Sequence, residues 1–131
     1  MLNAELFESY YRTYNSENPE ALRGFYHDDV ELSSAQGVLK GADAILDTYR
    51  YLISVFHDQM TPEKITIDGD QAAIIITDRF TAKTDVNDFM GMKLKKGDSF
   101  TLNLRGTYIA RDGRFKTIRI EQLPPAPDGS S

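Results

Sequence analysis

A chain of 131 residues and 14.8 kDa holds one ordinary domain and has no room for a second independent core. Its 40% hydrophobic and 27% charged residues make a globular balance, and the absence of cysteine excludes disulfides, thiolate metal sites and a cysteine nucleophile together. Fifteen Lys and Arg against 20 Asp and Glu leave a formal charge of −5, a sign that repels nucleic-acid phosphates and anionic lipid, so neither is expected as a partner.

The opening Met1-Leu2-Asn3-Ala4-Glu5-Leu6 lacks the basic start and apolar run of a signal peptide. No stretch approaches the ~20 apolar residues of a membrane span, so a cytoplasmic protein is expected. Leu2, Leu6, Phe7, Tyr10, Tyr11 and Tyr14 fall on one helical face, which predicts a helix over about residues 2–15 with an apolar side to bury. Asn18-Pro19-Glu20 reads as a cap with proline at the first helical position, opening a short helix to about Tyr26 that Asp28-Asp29 ends. Residues 30–33 and 37–41 read as short extended pieces. Ala42, Ile45, Leu46, Tyr49, Leu52, Ile53 and Phe56 then repeat at helical spacing, with His57-Asp58 and Pro62 marking the end of a third helix.

From residue 64 the period becomes extended. Ile65-Thr66-Ile67, a turn at Asp68-Gly69-Asp70, strands over 71–83 and 99–111, a turn at Asp112-Gly113 and a return over 115–123 compose an antiparallel meander. Residues 84–97 read as a loop with an apolar tip at Phe89, Met90 and Met92, and residues 124–131 as a flexible Pro/Gly/Ser tail on a single domain of residues 1–123. Helices first and a curved sheet second predict an α+β fold with the helices on one face. Along the strand at 71–83, Ala72, Ile74, Ile76 and Phe80 alternate with Ala73 and Ile75, so both faces carry apolar residues. Helices can cover only one face, which predicts a homodimer through the outer sheet face; the alternative is a single-face core with two tolerated exposed residues.

The aromatic first helix, the turn and helix Asn18-Pro19-Glu20-Ala21-Leu22, Phe25-Tyr26-His27-Asp28-Asp29-Val30, and the helix start Gly41-Ala42-Asp43-Ala44-Ile45 form an ordered series. Phe89-Met90-Gly91-Met92 before Lys96-Gly97-Asp98, and then Tyr108-Ile109-Ala110-Arg111-Asp112-Gly113-Arg114-Phe115, continue it. That order resembles the SnoaL-like branch of the nuclear-transport-factor-2-like superfamily, related to the ketosteroid isomerases, over about residues 4–121. The resemblance implies a conical half-barrel, with three N-terminal helices in the concave face of a mostly antiparallel sheet, a pocket inside the cone, and usually a dimer. It implies no single activity, because members include isomerases, polyketide cyclases, dehydratases and proteins that only bind or scaffold. In the isomerase comparison the oxyanion-donating tyrosine falls at Tyr10, and its supporting tyrosines at Tyr26 and Tyr49. The general base falls near Ser34, whose hydroxyl cannot abstract a carbon-bound proton unaided, and the second oxyanion donor at Gly106, which has no side chain. The acid that SnoaL-type cyclases carry on the last strand falls near Arg119 or Ile120, beside Glu121.

Several residues remain as candidates for chemistry. Tyr10, Tyr26 and Tyr49 form either a hydroxyl relay or ordinary core with satisfied phenol tips. Asp78 shares a strand face with Ile76 and Phe80, and Arg79 shares the other with Thr77. If the first face looks inward, Asp78 is an acid in apolar surroundings and a candidate base; if the second does, Arg79 suits an anionic ligand. A third reading pairs either charge with Arg105, Arg119 or Glu121 across the sheet. His57 reads as a cap on the helix end and His27 as a surface turn residue; two histidines make no metal cluster, and neither metal nor cofactor is expected. The combined expectation is Tyr10 as donor and Asp78 as base. Tyr14, Tyr26, Ser34, Tyr49, Phe80, Leu102, Leu104 and Tyr108 would surround a small apolar or oxygenated ligand that an isomerase, cyclase or dehydratase transforms by acid/base chemistry. The competing class is a non-catalytic dimeric interaction or scaffold domain, with the tyrosines as packing and the Phe89, Met90 and Met92 loop as the contact surface.

Overall fold

Asn3 and Asn18 each accept a hydrogen bond from the amide three residues on, Leu6 N at 2.8 Å and Ala21 N at 3.2 Å, and so open two helices. These are α1 (Ala4–Tyr14) and α2 (Pro19–Arg23), in a computed structural model that describes residues 2–124; the expected tail lies outside the described residues from 125 onward. α2 stops short of Tyr26, because Phe25 and Tyr26 are drawn into the aromatic core and the chain extends there as β1 (Tyr26–Ser34). Asp28-Asp29 therefore lies within a strand, where β1 bulges between Tyr26 and Glu31 against β8 (Arg114–Gln122), and His27 is a strand residue and not a turn. β2 (Gly37–Lys40) folds back on β1, and α3 (Ala42–Val55) follows.

The chain departs most from expectation after α3. It becomes extended at Phe56, well before residue 64, as β3 (Phe56–Asp68), which takes in His57, Asp58 and Pro62. Proline is accommodated because β3 is the edge strand of the sheet and a bulge between Pro62 and Lys64 interrupts the ladder. The cation at the end of α3 is Lys83, not His57: its Nζ donates to the Ile53 carbonyl at 2.6 Å and pairs with Glu17 Oε2 at 2.8 Å. His57 is exposed on the outer face, 3.4 Å from the same Glu17 oxygen.

β4 (Gln71–Ala82), β7 (Ser99–Arg111) and β8 complete a six-stranded sheet in the order β2-β1-β8-β7-β4-β3, parallel only at β1/β8. The sheet is curved, does not close into a barrel, and carries the three helices on its concave face, an α+β architecture. The segment expected as a loop between β4 and β7 is a hairpin, β5 (Val86–Phe89) and β6 (Met92–Leu94). Met90 and Gly91 turn it, both at positive φ. Its Phe89 packs on Phe56, Phe80 and Phe100 in a small cluster beside the main core, so of the hairpin's apolar side chains only Met90 at the tip is exposed. On β4, Ala72, Ile74, Ile76, Asp78, Phe80 and Ala82 are buried on the inner face, while Ala73 and Ile75 are half-buried and Arg79 exposed on the outer. Among the described residues, no helix is long and apolar enough to cross a membrane.

Gly106 sits on β7 beside Tyr108, and a Cβ there would stand 2.8 Å from Tyr108 Cε1 and 3.2 Å from its hydroxyl. The Tyr108 ring is 2% exposed and bonded to Tyr11, so it has nowhere to step. Gly106→Ala is expected to destabilise the fold by about 1–3 kcal/mol, read as a lower urea midpoint at unchanged slope.

Candidate active site

Strand alternation turns Asp58, between Phe56 and Met60 on β3, and Asp78, between Ile76 and Phe80 on β4, to the same inner face. The register pairs Asp58 with Phe80 and Met60 with Asp78, which makes the two carboxyl groups diagonal neighbours. Each residue is 2% exposed. Tyr14, the last residue of α1, donates to Asp58 Oδ2 at 2.7 Å. Asn15 clamps that helix end to β3: its Nδ2 donates to the Met60 carbonyl at 2.9 Å, and its Oδ1 accepts from Met60 N at 2.8 Å. Tyr49 of α3 lies against the Tyr14 ring, centroids 4.8 Å apart, and its hydroxyl donates to the Tyr14 carbonyl.

Asp58 Oδ1 and Asp78 Oδ1 are buried with no hydrogen-bond partner among the described residues. Nor does a salt bridge reach either carboxyl within those residues. Burial raises the pKa of both. For Asp78, hydrogen bonding with Asp58 and the charge of Asp58 push it further up; for Asp58, contacts with Asp78 and Tyr14 work against the effect of burial. Burial and the neighbouring Asp58 thus favour the protonated form of Asp78, while the Tyr14 hydroxyl on Oδ2 favours the charged form of Asp58.

A second polar group lies deeper. Tyr10 shares a 2.8 Å hydrogen bond with Tyr26, and Tyr11 shares one of 2.8 Å with Tyr108. The Tyr10 and Tyr108 rings meet edge to face at 6.0 Å. Burial pushes the Tyr10 phenol up to about 12 and raises Tyr11, Tyr26 and Tyr108 as well, so all four stay neutral. The space beneath the sheet, expected to form an apolar pocket, is packed with these rings together with Phe7, Phe25 and Phe115.

The predicted residues thus separate into three places. Tyr14, Tyr49 and Asp78 gather around Asp58, with Phe80 facing Asp58 across the ladder and Leu102 of β7 facing Asp78. Tyr10, Tyr26 and Tyr108 form the phenol group beside the buried Leu104, and Tyr10 makes no hydrogen bond to Asp78. Ser34 stands apart at the end of β1, bonded to Gln36 beside an open groove of about 450 Å³ that Arg119 and Glu121 also line. Of the charges that could pair with Asp78 or Arg79 across the sheet, Arg105 pairs with Glu121 at 3.2 Å and leaves Asp78 out. Among the described residues no cluster of His, Asp or Glu could hold a metal ion. Asp58 escaped the sequence reading, although the alternation Phe56, Asp58, Met60 carried the signal.

The SnoaL-like domain model matches residues 7–118. The chain belongs to the SnoaL-like domain family. Among curated proteins none matches it in sequence. Solved structures place the same fold around it. A candidate polyketide cyclase from Xanthomonas campestris superposes at TM-score 0.77 with 18% identity over 89% of this chain and 87% of that one. TsrD from Streptomyces laurentii gives 0.76 at 20% identity, covering 93% and 91%. An epoxide hydrolase from M. tuberculosis gives 0.72 at 14% identity, covering 89% and 79%. At these identities the likeness is one of fold, and the buried acids of this SnoaL-like chain lie on β3 and β4.

Asp78 ionises near pH ~4 in an unfolded chain but keeps its proton well above that when folded. The stability linked to that proton is complete below pH ~4 and falls as pH rises towards the folded value. Asp78→Asn, neutral throughout, is expected to be more stable than the native chain by about 1–3 kcal/mol at pH ~7.5. The two should converge near pH ~4, and urea denaturation at both pH values reads the difference.

Proposed function

We propose that this SnoaL-like protein binds a small oxygenated organic molecule beside Asp58 and Asp78 and moves a proton on it, as an isomerase, cyclase or lyase does. The observation that carries this is the buried carboxyl pair, each member with an unpartnered oxygen. Two acids in an apolar site without a cation cost folding stability, and groups of that kind cluster where a site needs a proton donor beside an acceptor. Transfer between carboxyls and a ligand requires no cofactor. Two of the structural neighbours are named for work on oxygenated compounds, a polyketide and an epoxide.

In this reading Tyr14, Tyr49, Phe80 and Leu102 border the ligand, and Tyr10, with its hydroxyl on Tyr26, supports them from the core. The ligand enters where Phe89 of the hairpin rests on Phe56 at 4.8 Å and on Phe80 at 5.7 Å, the two rings beside Asp58. Two copies of the chain, in the cytoplasm, pair through the outer sheet face around the half-buried Ala73 and Ile75. Sedimentation equilibrium at micromolar concentration should give a dimer that Ile75→Asp dissociates; a monomeric native chain would overturn the pairing.

The ligand is tested by a thermal-shift screen of neutral steroid-like, polyketide-like, aromatic and short-chain carbonyl compounds. A compound at ~100 times its Kd adds about 2.7 kcal/mol to the native chain. That gain should vanish in Asp58→Asn and Asp78→Asn and persist in Ser34→Ala. Compounds that stabilise all variants alike, or none that stabilises the native chain, would sink the proposal and favour a non-catalytic interaction domain, with the exposed Met90 tip as its contact.

A further inference from the structure

We infer that Tyr14 gives the carboxyl pair its direction. By donating to Asp58 Oδ2 it holds Asp58 as the carboxylate and leaves the shared proton on Asp78, so Asp58 receives a proton from the ligand and Asp78 delivers one. This rests on the reading of the pair as the reacting centre.

Two diagonal aspartates on neighbouring strands are chemically alike, and something outside them has to break the symmetry. Among the described residues, Tyr14 is the only side chain outside the pair that hydrogen-bonds to either carboxyl. A donor on a carboxylate oxygen favours the charged form of that group alone. The titratable groups facing the pair are Tyr10, Tyr11 and Tyr14 from α1 and Tyr49 from α3, while β7 presents the apolar Leu102. Glu17 lies behind Tyr49 and is held by Lys83. None of the facing groups is a cation, and burial keeps every one of the phenols protonated at neutral pH.

The position of Tyr14 does not depend on a ligand. Asn15 exchanges two hydrogen bonds with Met60, two residues beyond Asp58, and the Tyr49 hydroxyl holds the Tyr14 carbonyl. In the step that follows, a bond from hydrogen to the ligand breaks as Asp58 Oδ1 takes the proton, and a new O–H bond forms as Asp78 Oδ1 gives its proton to a ligand oxygen. The pair still holds one proton and one negative charge, with the proton now on Asp58 and the charge on Asp78. Tyr14 then favours return of the proton from Asp58 to Asp78. With Asp58 charged and no cation beside it, the site takes neutral ligands and repels carboxylates.

The test is a carboxyl 13C NMR titration of 13C-aspartate-labelled protein from pH ~4 to ~9, with Asp58→Asn and Asp78→Asn assigning the two signals. In the native chain Asp58 should be the carboxylate and Asp78 the acid at pH ~7. In Tyr14→Phe the Asp58 titration should move up by about one pH unit, whereas Tyr10→Phe should leave it in place. If Tyr14→Phe does not fold, Asn15→Ala, which keeps the phenol but frees the helix end, should move it in the same direction by less. A proton resident on Asp58, both carboxyls ionised at pH ~7, or an unmoved Asp58 in the folded variant would overturn the assignment. Because the titration uses no ligand, it fails separately from the functional reading: binding lost in both Asn variants with Asp58 unmoved in Tyr14→Phe overturns only the role of Tyr14.

Discussion

A polar group carried into this aromatic core costs stability unless it finds a partner there. Helix α1 carries three such groups, and each bonds to a different strand: Tyr10 to Tyr26 on β1, Tyr11 to Tyr108 on β7, and Tyr14 to Asp58 on β3. Apolar contact alone would let a helix slide or roll on a sheet by small amounts at little cost. Three directional bonds to strands spread across the sheet fix both its rotation and its depth, because a shift of one residue breaks all of them.

The third of these bonds differs from the other two in what it holds. A pair of phenols satisfies itself, each acting as donor or acceptor as required. A phenol on a carboxyl group, with a second carboxyl diagonal to it, leaves unpartnered oxygens in the core. That spot lies at the seam of the two apolar clusters, with Leu102 packed against both and Phe56 and Phe80 on one side. A seam between clusters is where packing is most easily parted, and the buried carboxyl pair sits there and not inside the main core.

The same tyrosines explain why the isomerase pattern transfers only in part. Tyr10, which the resemblance casts as a donor, has its hydroxyl engaged by Tyr26, and Ser34 and Gly106 stand where the resemblance would put acids. Gly106 leaves the space that the Tyr108 ring fills, and that ring in turn holds Tyr11. Where the resemblance would place a second donor, this chain has packing, and its two buried carboxyls lie on β4 and on the edge strand β3.

Periodicity determined much of this protein by itself. The helical face of Leu6, Phe7, Tyr10, Tyr11 and Tyr14, the Asn18 cap, and the strands and turn of residues 71–82 and 99–122 are local properties that side-chain spacing and turn chemistry express directly. β3 was hidden for a local reason too: the bulge at Pro62 switches the inward set from Phe56, Asp58 and Met60 to Ile65 and Ile67, so no single alternation spans the strand. Only the tertiary structure decided that Asp78 and not Arg79 faces inward, because a strand apolar on both sides does not say which side the helices cover. It alone brought Asp58 beside Asp78 and set Tyr14 on one of them, since that meeting depends on strand register and on the placement of α1, contacts between residues far apart in the chain that no local pattern encodes.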